Sequence, residues 1–240
     1  MLFRSDFHKL IYTSGQRSLY EGWGHAASII PLAHYRYHRW RADPDISFNP
    51  GFRQWAAKKG NREMADRTLE RIRAEGGLRA GDFEYKGPKR DPWYDWKPSK
   101  MALEALFAWG DLMVADRVNF QRVYDVRERV LPKWVDTTPV PAGEARRFCL
   151  EQAAKALGVF ELKNLTFYAY MRATPVRSEI KALVEDGTLV EIQGKSVNGV
   201  KKWLVHRDNL SLLQRAAEGD IQAERTTFLD LGRSEEHTSE

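Results

Sequence analysis

A helix that stops at a glycine and runs into a two-stranded hairpin occurs twice in this chain, and the repeat limits the folds open to it. In the first copy, Ser99 to Trp109 puts Met101, Ala105, Leu106 and Trp109 on one helical face. Gly110 ends that helix, and Leu112 to Val114 and Phe120 to Tyr124 read as strands. In the second copy, Val176, Ile180, Leu183 and Val184 form the apolar stripe, and Gly187 closes it. Leu189 to Ile192 then pairs with Lys202 to Val205 across Asn198-Gly199, a dipeptide that suits a tight hairpin turn. Each copy reads as a recognition helix followed by a wing. The expected fold class is therefore α+β, mostly helical, with tandem winged helix-turn-helix units and small β-hairpin wings. Such a helix fits the major groove and a basic hairpin flanks it on phosphates, so two copies in one basic chain point to double-stranded DNA.

Length and charge agree with this. A chain of 240 residues accommodates two modest domains and buries roughly 70% of its unfolded surface without staples. The net charge of +5 suits a phosphate backbone, although it does not establish one as the partner. The single cysteine, Cys149, excludes a disulfide framework and a cysteine metal cluster, a cytoplasmic pattern. No apolar run approaches the roughly 18 residues of a membrane span. Arg4, Asp6, His8 and Lys9 stand where a signal peptide is apolar. A membrane partner is thus not expected.

Along the chain, Phe7 to Tyr20 reads as a short helix and turn. Leu19 to Pro31 follows, with Trp23, Ala26, Ala27, Ile29 and Ile30 packed around Glu21 and His25. Asn61 to Glu75 is an amphipathic helix with Met64, Ala65, Thr68, Leu69 and Ile72 inward. Gly76 to Glu84 reads as a turn and one short helix, and Glu84 to Pro98 as a long Pro-rich loop carrying Trp93, Tyr94 and Trp96. Val126 to Pro141 links the two units. Glu144 to Leu157 and Leu162 to Tyr170 are the first and middle elements of the second unit, and Gly219 interrupts a final helical stretch, Asn209 to Leu231. MLFRS at residues 1–5 and RSEEHTSE at residues 233–240 read as translated adapter sequence.

Three strings carry a resemblance: LYEGWGHAASIIP (Leu19 to Pro31), ALEALFAWGDLMVADRVNFQRVYDVRERVLP (Ala102 to Pro132) and IKALVEDGTLVEI (Ile180 to Ile192). Together they resemble the AlkZ/YcaQ family of winged-helix DNA glycosylases, over essentially Asp6 to Gly232. The middle string is the most specific of the three. The resemblance implies residues 6–60 as the remnant of an N-terminal winged-helix region, 61–132 and 133–207 as winged-helix units, and 208–232 as the start of a C-terminal region. It implies hydrolysis of the bond from an alkylated or crosslinked base to deoxyribose by the parent protein, a DNA repair reaction that needs no cofactor. In that family a glutamine followed two residues later by glutamine or aspartate holds the attacking water. Before Leu19 the only glutamine is Gln16, and Ser18 stands two residues on. No catalytic residue is therefore assigned, and the chain alone is expected to be inactive.

The candidate DNA-binding or pocket residues are Glu21, Trp23, His25, Arg39, Arg41, Arg117, Asn119, Gln121, Arg122, Lys195 and Lys201. Glu21 and His25, four apart, share a face if the segment is helical. They either border a base pocket, as the resemblance implies, or form a buried pair. Tyr35, Tyr37 and Trp40 interleave with Arg36, Arg39 and Arg41, which suits either backbone neutralisation with stacking or a solvated basic face. His34 and His38 have metal-ligand spacing but lack a third ligand, so no metal is expected. In the first wing, Arg117, Asn119, Gln121 and Arg122 offer donors to phosphates and base edges, against a reading of Arg122, Asp125, Glu128 and Arg129 as an ion network. Lys195, Lys201 and Lys202 edge the second wing, where lysines also prevent strand-to-strand aggregation. Trp93, Tyr94 and Trp96 suit either a wedge into a base stack or a domain interface. The expected partner is damaged duplex DNA, bound by a monomer. The alternatives are a winged-helix regulator, dimerising through Leu210 to Leu231, and a winged-helix module used only for protein contacts.

Overall fold

The apolar spacing at Ala65, Thr68 and Ile72 makes one buried face on helix α4 (Asn61–Glu75), and Gly76, at φ +97°, ends it. A short strand, β3 (Leu78–Arg79), and a 3-10 turn (Ala80–Asp82) follow, where a turn and short helix were expected. Helix α5 (Pro98–Ala108) begins on a proline at its first turn and buries Ala102, Leu103, Ala105 and Leu106. Gly110, at φ +74°, stops it as expected. Strands β4 (Leu112–Val118) and β5 (Gln121–Val126) then pair antiparallel, and β3 adds to the other edge of β5. Phe52, Ile72, Leu103, Leu106, Leu112 and Tyr124 meet in one core beneath this sheet. Phe52 comes from helix α3 (Pro50–Ala56).

Phe120 was expected to open the second strand, but Asn119 and Phe120 form the turn itself, at φ +50° and +65°. Pairing of Val118 with Gln121 leaves these two residues as a tight loop with both backbones left-handed. The register also slips between Val114 and Asp116, so Ala115 forms a bulge.

The second half repeats the order. Helix α6 (Arg127–Val130) and a connecting segment lead to α7 (Ala142–Leu157), β6 (Val159–Phe160), α8 (Leu162–Tyr168) and α9 (Arg177–Glu185). Gly187, at φ +74°, precedes β7 (Leu189–Ser196) and β8 (Gly199–His206). Leu189 pairs with His206 and Ile192 with Trp203, and β6 extends the sheet on the far side of β8. Leu150, Phe160, Leu165, Ile180, Leu183 and Leu189 form the second core. Helix α10 (Leu210–Ala217) ends before Gly219, at φ +74°, where the break was expected.

The first segment differs from expectation. Helix α1 (Leu2–Tyr12) is followed by a hairpin, β1 (Leu19–Trp23) with β2 (Ala27–Pro31), rather than by a helical face carrying Glu21 and His25. Two glycines, Gly22 and Gly24, disfavour a helix by about 1 kcal/mol each, and the Ile29-Ile30 pair favours a strand. Glu21 and Trp23 therefore stand two apart on a strand, with Glu21 opposite Ile29. From Leu32 the chain continues as two 3-10 turns flanking helix α2 (Tyr35–His38).

The computed structural model describes residues 2–24, 27–42, 50–84, 97–196 and 199–221. Residues 2–5 fall within α1. His25, Trp93, Tyr94, Trp96, Asn198 and the segment from Arg233 to Glu240 lie outside the described residues. Among those described, no helix is long and apolar enough to cross a membrane.

Candidate nucleic-acid interface

Strand β1 carries Glu21 against the first hairpin, where its side chain is only 6% exposed. Arg117 Nε donates to one carboxylate oxygen at 2.6 Å and Arg117 Nη2 to the other at 2.7 Å. Arg122 Nε adds a third contact at 3.2 Å, and the Tyr12 hydroxyl donates from α1. Burial on its own raises the carboxyl's pKa. The hydrogen bonds from Arg117 and Tyr12, with the charges of Arg117 and Arg122, outweigh that effect and hold it below the ordinary range. Glu21 is thus a support whose lone pairs are already engaged, and a general base needs a free one.

The network continues inward. Arg122 Nη1 lies 3.3 Å from both oxygens of Glu104 on α5, and the Tyr124 hydroxyl donates to Glu104 at 2.9 Å. The Arg122 guanidinium also covers the Phe107 ring at 5.2 Å. Outward, Arg117 Nη1 donates to the Phe120 carbonyl at 2.9 Å. Arg117 therefore ties the hairpin turn to the buried carboxylate. Asn119 and Gln121 stand exposed on either side of Phe120. A cleft of about 340 Å³ is lined by Glu21, Arg117 and Arg122 and by apolar Phe7, Ile11 and Ile29.

Of the predicted ion network, the Asp125–Arg129 pair is present at 2.7 Å. Arg129 also donates to the Ile72 and Arg73 carbonyls at the end of α4. Arg122 turns instead to Glu21 and Glu104, and Glu128 pairs with Arg127.

The basic aromatic segment forms a seam. Tyr37 stacks on Phe148 of α7 at 4.0 Å, and His34 meets the same ring edge-on at 4.9 Å. Arg36 pairs with Asp136, and the Cys149 thiol donates to the Tyr37 carbonyl at 3.8 Å. Arg41, 6% exposed, donates to the Ala169 carbonyl at 2.8 Å beyond α8. Arg39 lies 3.4 Å from the Gly110 carbonyl, so close that a side chain at Gly110 would strike its guanidinium. Rings and cations that suit DNA stacking thus join the two halves. Trp23 lies 6.4 Å from Phe107, in a small cavity that also takes in Tyr20, Tyr35 and His38. Burial, with help from the Arg41 charge, pushes His38 down to about 4, so its imidazole is neutral at neutral pH.

On the second hairpin, Lys201 pairs with Glu161 and lies 5.2 Å over the Trp203 ring, while Lys202 pairs with Glu191. Lys195 is on β7, and its side chain lies outside the described residues.

Three participants escaped the sequence reading: Tyr12, Glu104 and Arg17. A signal for Glu104 was present, since it is a lone carboxylate in the otherwise apolar run from Met101 to Ala108. Arg17, 7% exposed, donates to the carbonyls of Tyr12, Val114 and Ala115, and so satisfies the bulge in β4. Its partners are 5, 97 and 98 residues away, and no local pattern reveals them.

A family model for DNA glycosylase AlkZ-like proteins matches residues 4–230. Among solved structures, Streptomyces sahachiroi DNA glycosylase AlkZ superposes with a TM-score of 0.51 at 13% sequence identity, which speaks to the fold alone. The match covers 86% of this chain and 55% of that one, so the chain spans just over half of that protein's length. Read over nearly its whole length, the sequence belongs to the AlkZ-like DNA glycosylase family.

Proposed function

We propose that this chain is the DNA-gripping part of a repair glycosylase that cleaves the base-to-sugar bond of alkylated or crosslinked nucleotides in duplex DNA. The family match over residues 4–230 carries this reading. Several features support it. Two helix-and-hairpin units occur in order, each read as a winged helix, and the first hairpin ends in Asn119, Phe120 and Gln121, all exposed. The chain carries a net charge of +5. Residues 61–132 and 133–207 are the two units, joined by the seam of residues 32–42, and the protein works as a monomer. The residues proposed to meet DNA are Asn119 and Gln121 directly, Arg117 and Arg122 from behind them, and Lys195 and Lys201 on the second hairpin. Glu21 and Trp23 form the floor, Arg39 and Arg41 hold the seam, and His25 is proposed at the edge of the base pocket.

The chemistry sets a further expectation. An alkylated base is a cationic leaving group, so catalysis consists largely of positioning a water and stabilising an oxocarbenium-like sugar. Two carboxylates at the first hairpin, Glu21 and Glu104, are both bonded to arginine, and the glutamine pair of the family's catalytic motif is not found before Leu19. We therefore expect this chain to bind alkylated duplex without releasing base.

Filter binding over a range of salt concentrations tests the grip. Contact with Z phosphates gives a log-log slope of about −0.9Z, and four to six contacts give a slope of about −4 to −5. Alkylated duplex should bind more tightly than intact duplex. A chain with no duplex affinity, or with measurable base release, contradicts the corresponding half of the proposal.

A further inference from the structure

The first hairpin holds an aromatic side chain where its own backbone resists one. Phe120 has φ +65°, next to Asn119 at +50°, and its side chain is among the most exposed large apolar groups described, at 77%. Left-handed backbone is awkward for a bulky L-residue, and a tight turn of this kind ordinarily ends on glycine. Strain held at an exposed position points to function.

The turn is also held rigidly. The Phe120 carbonyl accepts from Arg117, which grips both oxygens of buried Glu21, which in turn accepts from Tyr12. Arg122, on the other strand, is fixed between Glu21 and Glu104. Two carboxylates beneath the sheet therefore fix the direction in which the turn points. Nothing acidic interrupts the run from Arg117 to Arg122, and exposed Asn119 and Gln121 flank the ring with amides able to donate and accept. A phenyl ring carried on a fixed turn and edged by amides matches a base step: an apolar slot bordered by hydrogen-bonding base edges.

We propose that Phe120 is a wedge that enters the duplex and fills the space between bases while the target nucleotide leaves the stack. This rests on the reading of the chain as a DNA-gripping module. An enzyme that works on a base must first unstack it, and a turn already fixed in position limits the ordering cost of doing so.

The test uses the full chain and a duplex with 2-aminopurine beside an alkylated base. Binding of the unmodified chain should raise 2-aminopurine emission as stacking is lost. Phe120→Ala should weaken binding about tenfold, the value of one base–aromatic stack, and abolish the emission rise, whereas Phe120→Trp should retain both. Phe120→Gly removes the ring and relieves the backbone strain. It should match or exceed the unmodified chain in thermal midpoint and still lose the emission rise, which separates the wedge from folding. If the unmodified chain binds duplex but Phe120→Ala binds equally well, or if no emission rise accompanies binding, the wedge is refuted alone. If the unmodified chain binds no duplex, the DNA-gripping reading falls and takes the wedge with it.

Discussion

Glu21→Ala is expected to destabilise the fold by about 3–5 kcal/mol, because breaking a buried ion pair leaves its partners uncompensated. The loss is large because the carboxylate is 6% exposed and Arg122 only 18%, so little water reaches the charges left behind. Arg117, at 34% exposed, relaxes more easily and contributes less. Urea denaturation at neutral pH measures the effect, and a loss under about 1 kcal/mol would show that the network does not form. The Arg117→Ala single variant and the Glu21→Ala/Arg117→Ala double variant complete a cycle. The double variant should lie well short of the sum, since both substitutions remove the same pair.

A pH dependence follows with a definite sign. Glu21 is held below its ordinary value of 4.5, by contacts that outweigh the opposing effect of burial. Its ionised form therefore contributes stability that is fully present above that value and is lost as pH falls through the lower folded value. The unmodified chain should lose stability between about pH 5 and 3 more steeply than Glu21→Gln, which lacks this group.

Arg17→Met is expected to cost about 2–4 kcal/mol, since it keeps the aliphatic stem but deprives three carbonyls of their donor. Those carbonyls belong to Tyr12, Val114 and Ala115, so the damage falls where α1 meets the bulge of β4. Removing a buried charge returns some desolvation energy, which keeps the figure below the sum of three unmet acceptors. Alongside a lower thermal midpoint, amide exchange should accelerate over Asp116 to Val118 while α9 stays protected. Uniform acceleration across both halves would contradict this account.

Much of the fold is legible in the sequence because its signals are local. Gly110 and Gly187 end helices, the 3.6-residue periodicity of residues 61–75 marks α4, and the second hairpin forms from the expected strands, although its register is one residue away from the expected one, with Leu189 opposite His206 rather than Val205. The hairpin at residues 19–31 was missed because Glu21 and His25 match helical spacing, while the features that favour a strand, Gly22, Gly24 and the Ile29-Ile30 pair, act through pairing between strands. The site was less legible. Its organising contacts join Glu21 to Arg117 and Arg122 across 96 and 101 residues, and Arg41 to Ala169 across 128. Sequence spacing shows which residues have suitable chemistry, but which of them are already committed to one another depends on tertiary packing.

The seam of residues 32–42 has a mechanical consequence. With Tyr37 stacked on Phe148 and Arg41 bonded behind α8, the two hairpins cannot pivot independently. If the hairpins grip DNA as proposed, then once one of them seats on a duplex the other meets its own stretch of backbone as an intramolecular event, at a local concentration in the millimolar range. On that proposal the two modules act as a caliper of set gauge, and the length of duplex they would span is determined by the protein's interior rather than by the DNA.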